Sequence, residues 1–497
     1  MNIPIRRVIM VAIVLVVILI ANATYVQVFK ADSLVNNPHN NGRVLLDEYA
    51  RQRGQITAGG DVIAVSHATD DRLKYLRSYP EPWADAYAPV TGYYSFTYNS
   101  SGLEQAENSV LSGNDDRLFG QRFLDMFSGR DPRGGNVITT INPKMQQAAW
   151  NGMQHGCNGV CRGAVVALDP TTGAILAMVS SPSYDPNPLS SHDGDEQQKA
   201  WASYDPAAPD SPMLNRALRQ TYPPGSTFKV VTTATALAQG VDPDSTRLTA
   251  GSGIKLPGTD TTLTNYAGET CPGSSGGQVT LRQAFQYSCN TAFVQLATTR
   301  LQNPISSVEK QASAFGIGSD APSVPLSVAN SQFGDPANLA QLGMSSIGQF
   351  DVSITPLQNA MIAATVANGG TQMKPYLVDK LQSPDLKTLH TTKPSSMGTP
   401  ISPQVAQQLT SLMIDSERHT AGATPNIASK TGTAEHSNTS AAEDETPYAW
   451  YIAFGPTSNA KVAVAVLVEN GSKGFDTTGS SSAAPIGRAV IQAGTGA

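Results

Sequence analysis

A chain of 497 residues is long enough to bury two or three cores, so it is not one small module. Its 33 Lys and Arg stand against 39 Asp and Glu, a net charge of -6 with no basic run after the first residues, which argues against nucleic acid as a partner.

Met1 to Phe29 read as a targeting segment: Arg6 and Arg7 precede an apolar run from Val8 to Ile20, interrupted afterwards at Asn22, Thr24 and Gln27. The remaining chain is then expected outside the cytoplasm. Ala21-Asn22-Ala23 resembles a signal-peptide cleavage site, whereas Val26, Val28 and Phe29 extend the run towards a span; a retained single-pass anchor is preferred. Outside the cytoplasm disulfides are permitted, and Cys157, Cys161, Cys271 and Cys289 allow three pairings. Cys157 with Cys161, a local pair, and Cys271 with Cys289, which would tie the loop around Gly273 to a helix, are favoured over four free thiols. A zinc site from His155, Cys157 and Cys161 lacks an evident fourth ligand. No metal or cofactor is called for.

Ala31 to Asn136 is mixed, with short β-like runs, a strand expected at Asp61 to Ser66, and an aromatic cluster (Tyr93, Tyr94, Phe96, Tyr98) that reads as core. No catalytic constellation stands out in it. A second region opens near Val137. Pro143 to Met153 can form a helix, and Gly163 to Leu168 and Ala174 to Ser180 are apolar strands joined by the hairpin signal Asp169-Pro170-Thr171-Thr172-Gly173. Ser181 to Pro212 has no apolar periodicity and reads as surface loop.

Tyr222 to Val230 follows, and the apolar run continues without a breaker to Gln239, where Gly240 can end a helix. Ser226 lies at the helix start and Lys229 one turn on, so a nucleophile stands beside a possible base. Ser-x-x-Lys also occurs at Ser307 to Lys310, in a polar amphipathic stretch, and at Ser458 to Lys461, in a polar turn. Neither has the proline-glycine approach that would hold a serine rigidly. Downstream, Thr280 to Thr299 carries an amphipathic helical pattern that includes Ser288-Cys289-Asn290. Pro356 to Ala367 reads as a helix ended by Asn368-Gly369-Gly370, Trp450 to Phe454 and Lys461 to Val468 as strands, and Pro485 to Gln492 as a closing helix. Strands on both sides of a helical block suggest an α+β domain whose sheet is assembled from both ends of the region. His419 and His436 read as surface residues, and the polar stretch Glu435 to Pro447 as a mobile loop at the cleft mouth.

Ser226-x-x-Lys229, Ser288-x-Asn290 and Lys430-Thr431-Gly432-Thr433 stand in the order found in serine β-lactamases and penicillin-binding proteins. With Gly163 to Asn187, Asn215-Arg216-Ala217-Leu218, Ser346 to Gln358 and Arg53-Gly54-Gln55-Ile56, most of the chain resembles a class B penicillin-binding protein of the actinobacterial, mycobacterial type. After Arg53-Gly54-Gln55-Ile56 the family's usual acidic residue is replaced by Thr57-Ala58-Gly59.

The resemblance implies a serine β-lactamase/transpeptidase-like fold, a central antiparallel sheet with helices on both faces plus an all-helical part. It divides the chain into an anchor over 1–30, a non-catalytic domain over 31–136 and a penicillin-binding domain over 137–497. It also implies a D,D-transpeptidase acting on peptidoglycan stem peptides through a Ser226 acyl-enzyme, acylated by β-lactams. Lys229 would be the base, its pKa lowered by burial and by Lys430. Ser288 would relay a proton and Asn290 bind the substrate backbone. Thr431 and Thr433 would bind the substrate carboxylate, Gly432 would let the substrate approach, and the backbone N–H groups of Ser226 and Thr433 would hold the oxyanion.

A membrane-embedded glycan polymerase of the shape, elongation, division and sporulation type is the implied partner. Two alternatives stand beside this reading. One is a β-lactamase or carboxypeptidase, for which Glu309 and Glu417 are the carboxylates between the second and third motifs. The other is a non-catalytic β-lactam-binding scaffold.

Overall fold

The computed structural model describes residues 3–30, 49–118, 133–157, 159–434, 447–469 and 478–496. Of the stretch Glu435 to Pro447 only Pro447 is among them, and His436 lies outside the described residues.

In chain order the principal strands are β1 (Ile56–Ala58), β2 (Asp61–Ala68), β3 (Tyr75–Ser78), β4 (Asn136–Thr139), β5 (Gly163–Leu168), β6 (Ile175–Ser181), β7 (Val378–Gln382), β8 (Thr388–Thr391), β9 (Ala428–Ala434), β10 (Tyr448–Gly455) and β11 (Val462–Val468). The principal helices are α1 (Ile3–Thr24), α2 (Pro143–His155), α3 (Gly194–Tyr204), α4 (Lys229–Ala238), α5 (Leu281–Gln286), α6 (Asn290–Gln295), α7 (Pro356–Ala367), α8 (Pro403–His419) and α9 (Ala484–Thr495).

The larger core is built on an antiparallel five-stranded sheet in the order β9-β10-β11-β5-β6, so strands from both ends of the region meet at the β11–β5 pair. Every residue of β11 and β5 is buried, as central strands covered on both faces must be. Helices α2 and α9 pack together against the sheet, and α7 packs across β11, β10 and β5. The β5–β6 turn is fixed by Asp169, whose Oδ1 accepts from the backbone N–H of Thr171 at 2.8 Å. Helices α2 and α7 begin as their sequences dictate, with proline in the first turn and Asn142 or Thr355 capping the free N–H groups.

Three sequence expectations change. Ser181 to Pro212 is not all loop, because it holds α3, capped by Asp193. Its apolar contacts are few but aromatic: Trp201 stacks on Tyr98 with ring centroids 4.2 Å apart and meets Tyr93 edge-on. A helix anchored at so few positions leaves no periodic stripe to read. The helical pattern from Thr280 to Thr299 is broken between α5 and α6, at Tyr287-Ser288-Cys289. The division at 136/137 runs through the edge of β4, and a second, six-stranded sheet (β8-β7-β4-β1-β2-β3) takes the β7–β8 hairpin from far downstream. Sequence distance hides that pairing.

That second sheet is tied to its helices by Glu104, which is fully buried between Arg53 Nε at 2.5 Å and Arg77 Nε at 2.6 Å. Burial pushes the Glu104 carboxyl up, but the Arg77 and Arg53 charges outweigh burial and hold it below its usual value. The Arg53-Gly54-Gln55-Ile56 block therefore works as a structural anchor. A depressed carboxylate contributes stability that is present above the usual carboxylate range and lost as pH falls through its folded value. Glu104→Gln, which removes the carboxylate charge that Arg53 and Arg77 share, is expected to cost about 3–5 kcal/mol. Chemical denaturation of the full chain at neutral pH checks this.

Candidate active site

Ser226 lies in a short 3-10 turn, Gly225–Phe228, that runs directly into α4. Gly225 sits at φ +54°, and its N–H donates to the Gly348 carbonyl at 3.0 Å. Gly348, at φ +76°, has no room for a Cβ because the backbone of Gly225 fills that space. Trp450 Nε1 donates to the Pro223 carbonyl at 2.9 Å, and Asn359 Nδ2 to Thr227 Oγ1 at 3.1 Å. The nucleophile turn is thus held by three partners, Gly348, Trp450 and Asn359, before any chemistry is considered.

Ser288 stands in the break between α5 and α6 with φ +59°, a left-handed conformation uncommon for serine. Cys289, the next residue, is joined to Cys271, and Cys157 is joined to Cys161. Asn265 accepts from the Thr291 N–H at 3.0 Å and donates to the Gly251 and Glu269 carbonyls, which seats the start of α6. Nothing in the sequence singles Asn265 out, since its partners are set by the folded loop. Strand β9 is an edge of the five-stranded sheet and brings Lys430-Thr431-Gly432-Thr433 alongside the nucleophile turn.

These three segments converge on Ser288 Oγ. Lys430 Nζ donates to it at 2.8 Å and to the Thr431 carbonyl at 2.9 Å. Lys229 Nζ lies 3.3 Å from the same hydroxyl and donates to the Ser288 carbonyl and to Asn290 Oδ1, both at 2.7 Å. A lysine can only donate in its charged form, so Asn290 must present its oxygen to Lys229. Its Nδ2 then donates to the Thr264 carbonyl at 3.2 Å, and one N–H remains for a ligand. Lys229 makes no hydrogen bond to Ser226 in this arrangement; its contacts are to Ser288 and Asn290.

Both lysines are fully buried, whereas Ser226, Ser288, Asn290, Thr431 and Thr433 are each partly exposed. Burial pushes the Lys229 ammonium far below its usual range, and the neighbouring Lys430 charge adds to this. Burial brings Lys430 down to about 7. Their partial compensation comes from the faces of Phe293, 5.2 Å from Lys229 Nζ, and Phe285, 5.8 Å from Lys430 Nζ.

A Cβ on Gly432 would lie 2.9 Å from the Pro224 carbonyl oxygen and 3.0 Å from Thr227 Cγ2, so the nucleophile turn packs directly against this position. A Cβ on Gly225 would meet the Thr433 carbonyl oxygen at 2.7 Å. In an extended strand the N–H and C=O of one residue leave on the same side, so the Thr433 N–H also faces the nucleophile turn.

Residues 163–492 match the family described as the penicillin-binding protein transpeptidase domain, and residues 53–137 match the penicillin-binding protein A dimerisation domain. The chain belongs to the class B penicillin-binding proteins.

It is 55% identical to the peptidoglycan D,D-transpeptidase PbpA of Mycolicibacterium smegmatis and 54% identical to that of Mycobacterium tuberculosis, in each case over 99% of both chains. Among solved structures, the ceftriaxone acyl-enzyme complex of penicillin-binding protein A from M. tuberculosis superimposes with a TM-score of 0.86 at 55% identity. The match covers 90% of this chain and all of that one. As a class B penicillin-binding protein, the chain has the transpeptidase fold expected from its motifs, with a dimerisation domain before it.

The other Ser-x-x-Lys pairs lie away from this cluster: Lys310 is exposed on the helix Pro304–Ala314, and Ser458 is exposed between β10 and β11. Gly432→Ala is expected to destabilise the chain by about 1–3 kcal/mol, because rigid backbone rather than a flexible side chain must move. It should also slow penicillin acylation at least about tenfold by displacing Ser226 from β9, about 1.4 kcal/mol in the barrier. Thermal denaturation and timed labelling with a fluorescent penicillin check the two effects.

Proposed function

We propose that the chain is a peptidoglycan D,D-transpeptidase that works through an acyl-enzyme on Ser226 and is acylated at the same serine by β-lactams. The observation that carries this reading is the pair of fully buried lysines meeting at Ser288 Oγ beside the Ser226 turn. When charged, Lys229 has every N–H committed to Ser288 and Asn290 and no means of accepting a proton. Once neutral it has a lone pair, and burial beside Lys430 favours that state.

Neutral Lys229 takes the proton of Ser226 Oγ as that oxygen attacks the penultimate D-Ala carbonyl. The oxyanion is held by the N–H groups of Ser226 and Thr433. As the peptide C–N bond breaks, Ser288 passes a proton to the departing D-Ala amine. In the second half an amine of a neighbouring stem attacks the ester and Ser226 recovers its proton. Asn290 holds the stem backbone with its spare N–H, and the Thr431 and Thr433 hydroxyls bind the terminal carboxylate.

Transfer to an amine is favoured over hydrolysis by the state of the two carboxylates between the motifs. Glu417 is buried and saturated with donors, and Glu309 is exposed on its helix. The apolar stretch Arg6–Gln27 is long enough for one span, and Arg6 and Arg7 at its start orient the remaining chain outward. We place the protein in the cell membrane as a single-pass protein with an extracytoplasmic catalytic domain. A glycan polymerase in the same membrane is its partner.

Incubating the detergent-solubilised full-length chain with a fluorescent penicillin should give a long-lived adduct that mass spectrometry places on Ser226. Equal labelling of Ser226→Ala would sink the proposal, and rapid release of the adduct would favour a hydrolase. The pH dependence has a definite sign. At low pH both lysines hold their protons and Ser226 has no base. As pH rises through about 7, where Lys430 titrates, the pair gives up a proton and acylation should accelerate. A labelling rate that falls across this range contradicts the assignment.

A further inference from the structure

Behind β9, on the face opposite Lys430, lies a second charged centre that the chemistry above does not use. Glu417, in the last turn of α8, is 2% exposed. Its Oε2 accepts from Ser429 Oγ at 2.5 Å and from the Tyr451 hydroxyl at 2.9 Å. Its Oε1 accepts from Arg488 Nε of α9 at 2.8 Å and from the Thr424 N–H at 3.2 Å. Arg488 in turn donates to the Ala421 carbonyl at 2.7 Å. One carboxylate therefore joins α8, α9, β10 and β9, and it touches β9 through the residue immediately before Lys430.

Consecutive residues of a strand point to opposite faces, so a force on Ser429 sets the depth at which Lys430 enters the cleft. Among the described residues β9 is an edge strand paired to β10 alone, with α8 and the nucleophile turn packed against it. Lys430 must hold 2.8 Å to Ser288 Oγ, a tolerance that an edge strand paired on one side does not guarantee.

We propose that Glu417 is a positioning residue for the transfer reaction, acting through Ser429 to fix Lys430 and the oxyanion-binding N–H of Thr433 against Ser226. The proposal rests on the transpeptidase reading of the site. Glu417 is not a base for water, because its oxygens are occupied by four donors and it is shut off from solvent. Its distance from the stem peptide is what distinguishes it from Lys229 or Ser288, for it touches neither substrate nor the reacting atoms.

The test uses two variants that each remove one hydroxyl from the same carboxylate. Ser429→Ala cuts the link to β9, and Tyr451→Phe cuts the link to β10. Full-length parent and variants are acylated in detergent with a fluorescent penicillin over a range of concentrations, which separates non-covalent affinity from the acylation step, and melting temperatures are recorded. Ser429→Ala should acylate about tenfold more slowly at saturation, the scale of one lost hydrogen bond to a charged group, with affinity unchanged.

Tyr451→Phe should stay within about twofold of the parent, although it loses a comparable bond. Parent-like acylation of Ser429→Ala overturns the proposal. So does an equal slowing of both variants, which would mark a general loss of rigidity. Failure of the parent itself to label would instead overturn the transpeptidase reading.

Discussion

Two ammonium groups buried beside one hydroxyl, with no carboxylate pairing either of them among the described residues, are the constraint on which this structure depends. Taking a lysine out of water costs several kcal/mol, and a like charge nearby adds to it. Carbonyls, an amide oxygen and two aromatic faces return part of that cost. The rest must come from the stability of the surrounding fold. The outcome is a pair of lysines whose pKa values burial pushes down, Lys229 further still by the Lys430 charge, which favours the neutral state that the proposed base requires.

The fold meets that demand by rigid interlocking rather than by local bonds at the lysines. Gly225, Gly348 and Gly432 allow three backbone segments to approach closer than any side chain would permit. Each segment is then anchored away from the cleft. The nucleophile turn is anchored by Trp450 and Asn359, the Ser288 break by the Cys271–Cys289 disulfide and Asn265, and β9 by β10 on one side. The left-handed backbone at Ser288 is held in this setting, where its neighbours on both sides are fixed by α5 and by the disulfide.

Much of this was legible in the sequence because the carriers are local. Ser226 with Lys229, the Asp169 turn, the Pro356 helix start and the β10 and β11 strands each announce themselves within a dozen residues. What was hidden depends on contacts across the chain. The break at Ser288 lies inside a continuous amphipathic pattern, because both halves bury the same face. Helix α3 packs through two aromatic residues, Trp201 and Tyr204, and has no stripe. The β7–β8 hairpin joins a sheet whose other strands lie more than two hundred positions earlier, and no periodicity encodes a partner. The close approach of Pro224 and Thr227 to Gly432 is likewise a contact across the chain that the Lys-Thr-Gly pattern does not reveal.

The placement of buried carboxylates follows the same logic in reverse. Glu104 and Glu417 are each surrounded by donors and each joins several elements, so charge is used freely where the fold needs only rigidity. On the Lys430 side of β9 a carboxylate would have the opposite effect. It would favour the charged lysines and lift their pKa values back towards the ordinary range, against the base role proposed for Lys229. Glu417 is attached to β9 through Ser429, one residue from Lys430 yet on the other face. That alternation lets one strand be braced by a carboxylate on one face and present, one residue on, a lysine with no carboxylate partner among the described residues.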